Sequence, residues 1–517
     1  MSYLTKNKCM IMAAHTTTTT TNKKHEQVKI IEECKVAPPQ GSLASTTTNV
    51  PLTYLDIPWF LCHPIKRIFF YDFPHSTNHF LQSSLPPLKH SLSLSLQHFF
   101  PFASNLIVPP SPNLPFIRFL DGLDSLSFTI AESKADFSLL VSDSPQDVRF
   151  LHPLVASLPP KVTMEDGTLV MPLMAIQVTV LPNTAFAISL TFSHLAADGY
   201  SLHHFIKFWA NLCKQIITRG SGTNDEDVKE SSFLSVPFHD RDIVKDPKGL
   251  KHVYMEEVRD LLRKNNNLMN SQVPVNSNTM VRATLVLNHS QVEKLKKFVS
   301  LKYRDTYGSN TLLHMSTFVV TCSLIWVCMM QSEEQTEGNH HHTNKNFDDE
   351  VCYFIILADY RGRSEFSIPS NYFGNCLLSG YVRLKRGELV GENNGNDYHG
   401  IFEAASGIDR EIRNLRNDAL TRVESFVPYA RELNKCRSIT VVAGSPKLGV
   451  YETDFGWGKP KKSVAVHVES AGAFSLSDCR NNEGAVEIGI ALERIRMKKF
   501  IKIFEQHLQN IDHDFPT

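Results

Sequence analysis

Ser193-His194-Leu195-Ala196-Ala197-Asp198-Gly199 stands between two stretches of opposite character. Upstream, Ala185 to Phe192 (AFAISLTF) is a short run of apolar and small residues, which reads as a buried strand. Downstream, Leu202, Phe205, Ile206, Trp209 and Leu212 recur at helical spacing, so an amphipathic helix follows. A histidine and an aspartate four residues apart are therefore expected on a tight strand-to-helix turn. Alone, H-x-x-x-D is a weak signal, and it reads as a core histidine beside a helix-capping Asp198.

Working outward, Val28 onward (VKIIEECKV), Ile65 to Phe73, Phe116 to Phe119, Leu126 to Ile130 and Met174 to Val180 are expected strands. Leu81, Leu85, Leu88, Leu92, Leu96 and Phe99 mark a helix, with a break expected at Pro86-Pro87. Gly220 to about Asn278 reads as an interdomain linker. Beyond it, VRATLVL is a strand, and His289 to Tyr303 and Thr311 to Met330 are helices. VCYFIILAD is a further strand. Ile439 to Ala443, Ser463 to Val468, Ala473 to Leu476 and Val486 to Leu492 are expected to complete a second strand set. Arg494 to Leu508 is the closing helix. The organisation expected is a tail over 1–27, one domain over 28–220, a crossover over 221–278 and a second domain over 279–517.

A chain of 517 residues is too long for one ordinary core. Lys+Arg and Asp+Glu balance at 53 each, which leaves no global basic field for nucleic acid. The 10 cysteines are scattered without C-x-x-C spacing, which fits a reducing compartment and argues against a disulfide frame or zinc knuckle. No apolar run is long enough to span a membrane. Thr16 to Thr21 is a threonine run in a tail without periodicity, expected to be disordered, with Met12 as an alternative start. His340, His341 and His342 are adjacent and cannot readily converge on one ion, so a solvated loop is expected and no metal is implied.

Several enzyme classes lose weight. Gly199-Tyr200-Ser201-Leu202-His203 fails the last position of G-x-S-x-G. H-E-x-x-H, G-x-x-x-x-G-K-[ST] and G-x-G-x-x-G do not occur.

With its second motif, Asp454-Phe455-Gly456-Trp457-Gly458, the chain resembles the plant BAHD acyltransferases. Leu52-Thr53-Tyr54-Leu55-Asp56, Tyr372-Phe373-Gly374-Asn375-Cys376 and Ala443-Gly444-Ser445-Pro446-Lys447 are similar to the anthocyanin and flavonoid acyltransferase branch. The resemblance covers roughly Val28 to Leu508. It implies an α/β fold of the chloramphenicol-acetyltransferase type, with two domains, mixed sheets and a tunnel between them. It implies acyl-CoA as co-substrate, no bound cofactor, a glycosylated phenolic acceptor, and a cytoplasmic monomer. His194 would be the general base, and Asp198 would hold the loop by pairing with Arg361. Ser445 would be the oxyanion donor, and Asp454 to Gly458 would be structural. Coenzyme A contacts are left open. Phe192, Tyr372, Phe373, Phe455 and Trp457 are expected to border the tunnel. Arg363 and Lys447 are the cations left free. The donor expected is hydroxycinnamoyl, with malonyl second. Two other readings remain: a non-catalytic member that binds phenolics or coenzyme A, and a condensation domain. The latter wants a histidine where Ser193 stands.

Overall fold

The computed structural model describes residues 28–219, 235–264, 279–308, 315–333, 348–363, 366–391, 398–469 and 472–515. The tail over 1–27 and the histidine run 340–342 lie outside them.

The chain builds three sheets with helices packed against them, an α/β fold with mixed sheets. A six-stranded sheet runs in the order Lys29–Val36, Leu126–Glu132, Met174–Leu181, Ala185–Phe192, Ile65–Asp72, Lys462–Ala465. Ala185–Phe192 is inner, with every residue buried, which is why its sequence runs apolar without alternation. A seven-stranded sheet runs Leu377–Lys385, Val351–Asp359, Ser438–Ala443, Ala473–Asp478, Val486–Glu493, Met280–Leu287, Gln146–Asp147. A five-stranded sheet of short strands covers Phe116–Leu120 and its neighbours.

Two strands cross between the halves. The stretch expected in the second strand set, Ser463 to Val468, instead yields Lys462–Ala465 in the first sheet, antiparallel to Ile65–Asp72. The reason is a second core: Val464 and Val466 close over Ile68, Phe70, Leu140, Leu151 and Leu154. After Ala465 the chain turns into a 3₁₀ segment, Val466–Glu469. In return, Gln146–Asp147 pairs with Met280–Leu287 at the edge of the second sheet.

Pro86-Pro87 does not break the helix expected around it. The two prolines open the helix Leu85–His98, where the first turn needs no N–H donors. A π-helical turn, Phe80–Ser84, delivers the chain to that point. Leu88, Leu92 and Leu96 face the helix Gly199–Arg219, and Trp209 Nε1 donates to Leu88 O at 3.1 Å. The apolar helix beyond residue 311 runs over Thr317–Ser332, with Ser316 capping the Val319 amide. Every residue from Val319 to Met330 is buried, so no polar face is required. The stretch read as a linker contains ordered structure. Arg241 is buried in a short turn, and the helix Leu250–Lys264 seats Tyr254, Met255 and Val258 in the core.

Burial depresses the pKa of six described histidines, among them His203 and His467, to about 3, and His239 and His507, to about 4. The unfolded chain protonates histidine near pH ~6.5, whereas the fold keeps these neutral until much lower pH. Their stabilisation is therefore complete above the unfolded pKa and is lost as pH falls toward the folded values. The melting temperature is expected to fall continuously from about pH 6.5 to about pH 4. Thermal unfolding across that range checks it, and a flat profile would contradict the assignment.

Candidate active site

The turn after Ala185–Phe192 is pinned at both ends. Ser193 N donates to Leu173 O at 2.8 Å, and Ala196 N to Ser193 O at 3.0 Å. Asp198 then caps the next helix, its Oδ1 accepting Ser201 N at 3.0 Å. Its Oδ2 accepts Cys376 N at 3.0 Å and pairs with Arg361 Nη1 at 2.8 Å. Asp198 is fully buried and the Arg361 side chain is 3% exposed. Burial alone would raise the Asp198 pKa, but Arg361 and the backbone donors outweigh it and hold the carboxyl below its usual range. No oxygen of Asp198 bonds to His194. The capping and ion-pair readings of this aspartate are thus both satisfied by one carboxylate.

His194 is 9% exposed. Its ring stacks on Trp59, centroids 3.7 Å apart and planes 8° from parallel. Nδ1 lies 3.0 Å from Asn375 Oδ1. Nε2 has no partner among the described residues and is not enclosed, so it opens on free space. Burial pushes the imidazole pKa down, an effect that Asp198 and Asn375 only partly offset, so the ring is neutral at neutral pH. Behind Asn375 stands Asp56, fully buried, in contact with Arg241 at 3.0 Å. Asn375, Asp56, Trp59 and Arg241 were not singled out from the sequence. Two of them lie inside the quoted stretches Leu52–Asp56 and Tyr372–Cys376, and that was the available signal.

Beside Trp59 lies a cavity of about 430 Å³. Tyr54, Trp59, Tyr254, Tyr381 and Phe426 supply aromatic wall, and Leu55, Leu357 and Val441 supply aliphatic wall. Among the described residues that line it, the one charged side chain is Arg422, which donates to Glu411 Oε2 at 3.1 Å. The aromatic residues expected at the tunnel do not line it. Phe192 and Phe373 pack edge-on against Phe102, and Tyr372, outside the lining, accepts from Arg241 Nη1 at 3.0 Å. Arg363, expected free, lies over the Tyr360 ring, 4.1 Å from its centroid.

Asp454 to Gly458 is placed elsewhere. Asp454 Oδ1 accepts the Gly456 and Gly458 amides at 2.8 and 2.9 Å, and Oδ2 pairs with Lys214 at 2.7 Å. Gly456 and Gly458 have φ of 111° and 90°, which a side chain would resist. Phe455 is an edge-on core contact of Trp209, and Trp457 packs edge-on to Phe186. Lys214 sits roughly 22 Å along its helix from Gly199 at ~1.5 Å per residue, so this loop clamps the helix far from His194. Ser445 caps the turn Pro446–Leu448, its Oγ accepting Lys447 N at 3.2 Å, with no bond to His194.

The family model described as the Transferase family matches residues 26–507. The chain belongs to the BAHD acyltransferase family. This BAHD acyltransferase is 37% identical to an Arabidopsis thaliana protein, coumaroyl-CoA:anthocyanidin 3-O-glucoside-6''-O-coumaroyltransferase 1, covering 93% of this chain and 97% of that one. It is 32% identical to a Dahlia pinnata protein, malonyl-coenzyme A:anthocyanin 3-O-glucoside-6''-O-malonyltransferase, with 93% and 97% covered. Vinorine synthase shares its fold at a TM-score of 0.61 and 17% identity, over 92% of this chain and 96% of that one. As a BAHD enzyme it takes its acyl group from a coenzyme A thioester, a co-substrate and not a resident cofactor. Among the described residues no cluster of three or more His, Cys, Asp or Glu could hold a metal ion. No described helix is long and apolar enough to cross a membrane.

Proposed function

We propose that the chain transfers a hydroxycinnamoyl group from coenzyme A to a sugar hydroxyl of an anthocyanin or flavonoid glucoside, with His194 as general base. The observation that carries this is the bare, accessible Nε2 of a neutral His194 beside an aromatic cavity. An alcohol needs a base to take its proton as it attacks a thioester. Nε2 takes the hydroxyl proton while the sugar oxygen bonds to the thioester carbon. The tetrahedral intermediate collapses, the C–S bond breaks, and the imidazolium returns the proton to the leaving thiolate. No acyl-enzyme forms. Asp198 and Arg361 hold the loop. Ser445 is the candidate donor to the oxyanion, since its hydroxyl accepts the Lys447 amide and keeps its own proton to give. The nine described cysteines are all free, which supports placing the enzyme in the cytoplasm; we take it as a monomer.

The donor rests on the lining. Five aromatic side chains and a single, carboxylate-bound arginine suit a planar ring better than a second carboxylate. The 37% relative is named for coumaroyl transfer and the 32% relative for malonyl transfer. One observation favours malonyl instead. Arg67 is 5% exposed, its pKa pushed down to about 10 by burial, and among the described residues its side chain's one hydrogen bond is to Ser463 Oγ at 2.9 Å. A buried guanidinium that no carboxylate among the described residues contacts directly, Asp478 acting on it only from a distance, suits an anionic acyl group. Equal coumaroyl-CoA and malonyl-CoA competing over one anthocyanidin 3-glucoside are expected to give coumarate esters. A pool dominated by malonate esters, lost in Arg67→Met, would overturn the assignment in favour of malonyl.

A further inference from the structure

We propose that Asn375 and Asp56 are positioning residues for acyl transfer: Asn375 locks His194 in the tautomer with Nδ1 protonated and Nε2 bare, and Asp56 locks Asn375. This rests on the reading of His194 as general base.

The orientation of the Asn375 amide is forced. Its Nδ2 donates to Asp56 Oδ1 at 2.9 Å and to His194 O at 2.8 Å. Turning the amide over would set its oxygen against a carboxylate and a carbonyl, leaving two acceptors unpaired in a buried place. Oδ1 therefore faces Nδ1 at 3.0 Å, and an acceptor there requires the proton on Nδ1. The second neutral nitrogen, Nε2, is then the lone-pair site.

Asp56 has no freedom to release the amide. Its Oδ2 accepts Thr53 N and Thr53 Oγ1, both at 2.8 Å. Its Oδ1 accepts Asn375 Nδ2 and, at 3.3 Å, Asn375 N. Arg241 Nη1 lies 3.0–3.1 Å from both oxygens and also donates to Tyr372 Oη at 3.0 Å, while Arg241 Nη2 donates to Ala196 O at 3.4 Å. Trp59, stacked on the imidazole, opposes the ring flip that would put Cδ2 in place of Nδ1 against Asn375. Together these contacts fix one tautomer.

The amide also differs chemically from a carboxylate in that place. It can orient the ring but cannot neutralise an imidazolium, so the base stays weak and returns its proton readily. The charged and titratable groups around the ring are Asp198 on its own loop, paired with Arg361 from the turn after Val351–Asp359, Asp56 with Arg241 behind the amide, and the neutral His467 from the Val466–Glu469 turn. The arginines pair both carboxylates, leaving the amide as the direct contact of Nδ1.

The test compares full-length wild type with Asn375→Ala, using ¹⁵N NMR of the imidazoles with His194→Ala to assign the signal. Wild type is expected to show the Nδ1–H form, and an Nε2–H form overturns the proposal without any variant at 375. Asn375→Ala is expected to lose that preference and to lower kcat roughly 10–10²-fold, part of the ~10²–10⁴-fold a general base supplies, with KM held within about twofold. Its acid limb is expected to move to lower pH, because a bond that favours the protonated ring is gone. An inactive His194→Ala beside an Asn375→Ala with wild-type kcat and acid limb overturns the positioning role alone. An active His194→Ala overturns the general-base reading, and this proposal with it.

Discussion

Replacing His194 by alanine is expected to lower kcat by about 10²–10⁴-fold, the range a general base contributes. The imidazole offers a bare Nε2 to the free space of the site, and no other described side chain bonded to this network can serve as a neutral acceptor of a proton. Asn375 is an amide, and Asp198 and Asp56 are consumed by arginines. Stability should change little. The ring's bonds are one contact to Asn375 and one face on Trp59, so a loss of roughly 1 kcal/mol would move the melting temperature by about 2 °C. The sign of the pH dependence follows from burial. The folded pKa lies below the ordinary histidine value, so activity persists as pH falls through about 6.5 and is lost only lower. Steady-state kinetics of the purified variant decide it. Retention of more than about a tenth of wild-type kcat would sink the role, since a general base contributes ~10²-fold or more.

Asp198→Ala is expected to lose activity and stability together, by about 3–5 kcal/mol. The fully buried carboxylate caps the helix at Ser201, accepts the Cys376 amide and pairs with Arg361. Its removal leaves a guanidinium 3% exposed, though Asp359 Oδ1 at 2.9 Å and the Gly374 and Tyr372 carbonyls, both at 2.8 Å, still hold it. Those remaining partners place the cost toward the lower end. Activity goes too, because Cys376 adjoins Asn375 and the lost bond frees the segment that touches His194. Asp198→Asn, which keeps the cap but not the charge, should fall between. Thermal unfolding and kcat on both variants check this, and an alanine variant as stable as wild type would show the pairing to be unimportant.

The strand, turn and helix around His194 were legible because each is a local pattern: a buried apolar run, a cap and a 3.6-residue stripe. Partnerships across the chain were not. Asn375 and Asp56 stand 319 positions apart, and nothing in either segment names the other. Lys462–Ala465 reads correctly as a strand, but alternation gives a strand's faces and not its neighbour. The aromatic residues of Asp454–Gly458 were misplaced as channel wall for the same reason. Phe455 and Trp457 are equally apolar in a core and in a channel, and only packing on Trp209 and Phe186 distinguishes the two. The helix end at Pro86-Pro87 was misread because a proline pair stops a helix from one side and starts it from the other.

The exchange of strands between the halves bears on how the chain comes into being. The six-stranded sheet ends in Lys462–Ala465, so its last edge stays open until residues beyond 465 have left the ribosome. Throughout that interval Ile65–Asp72 presents unpaired backbone on one side, a template for pairing with another nascent chain. The smaller core around Ile68, Phe70 and Leu151 is likewise uncovered until Val464 and Val466 arrive. Neither half can therefore be produced as a finished body without the other. The enzyme's expression is most exposed to aggregation between the synthesis of its first sheet and the delivery of that one returning strand.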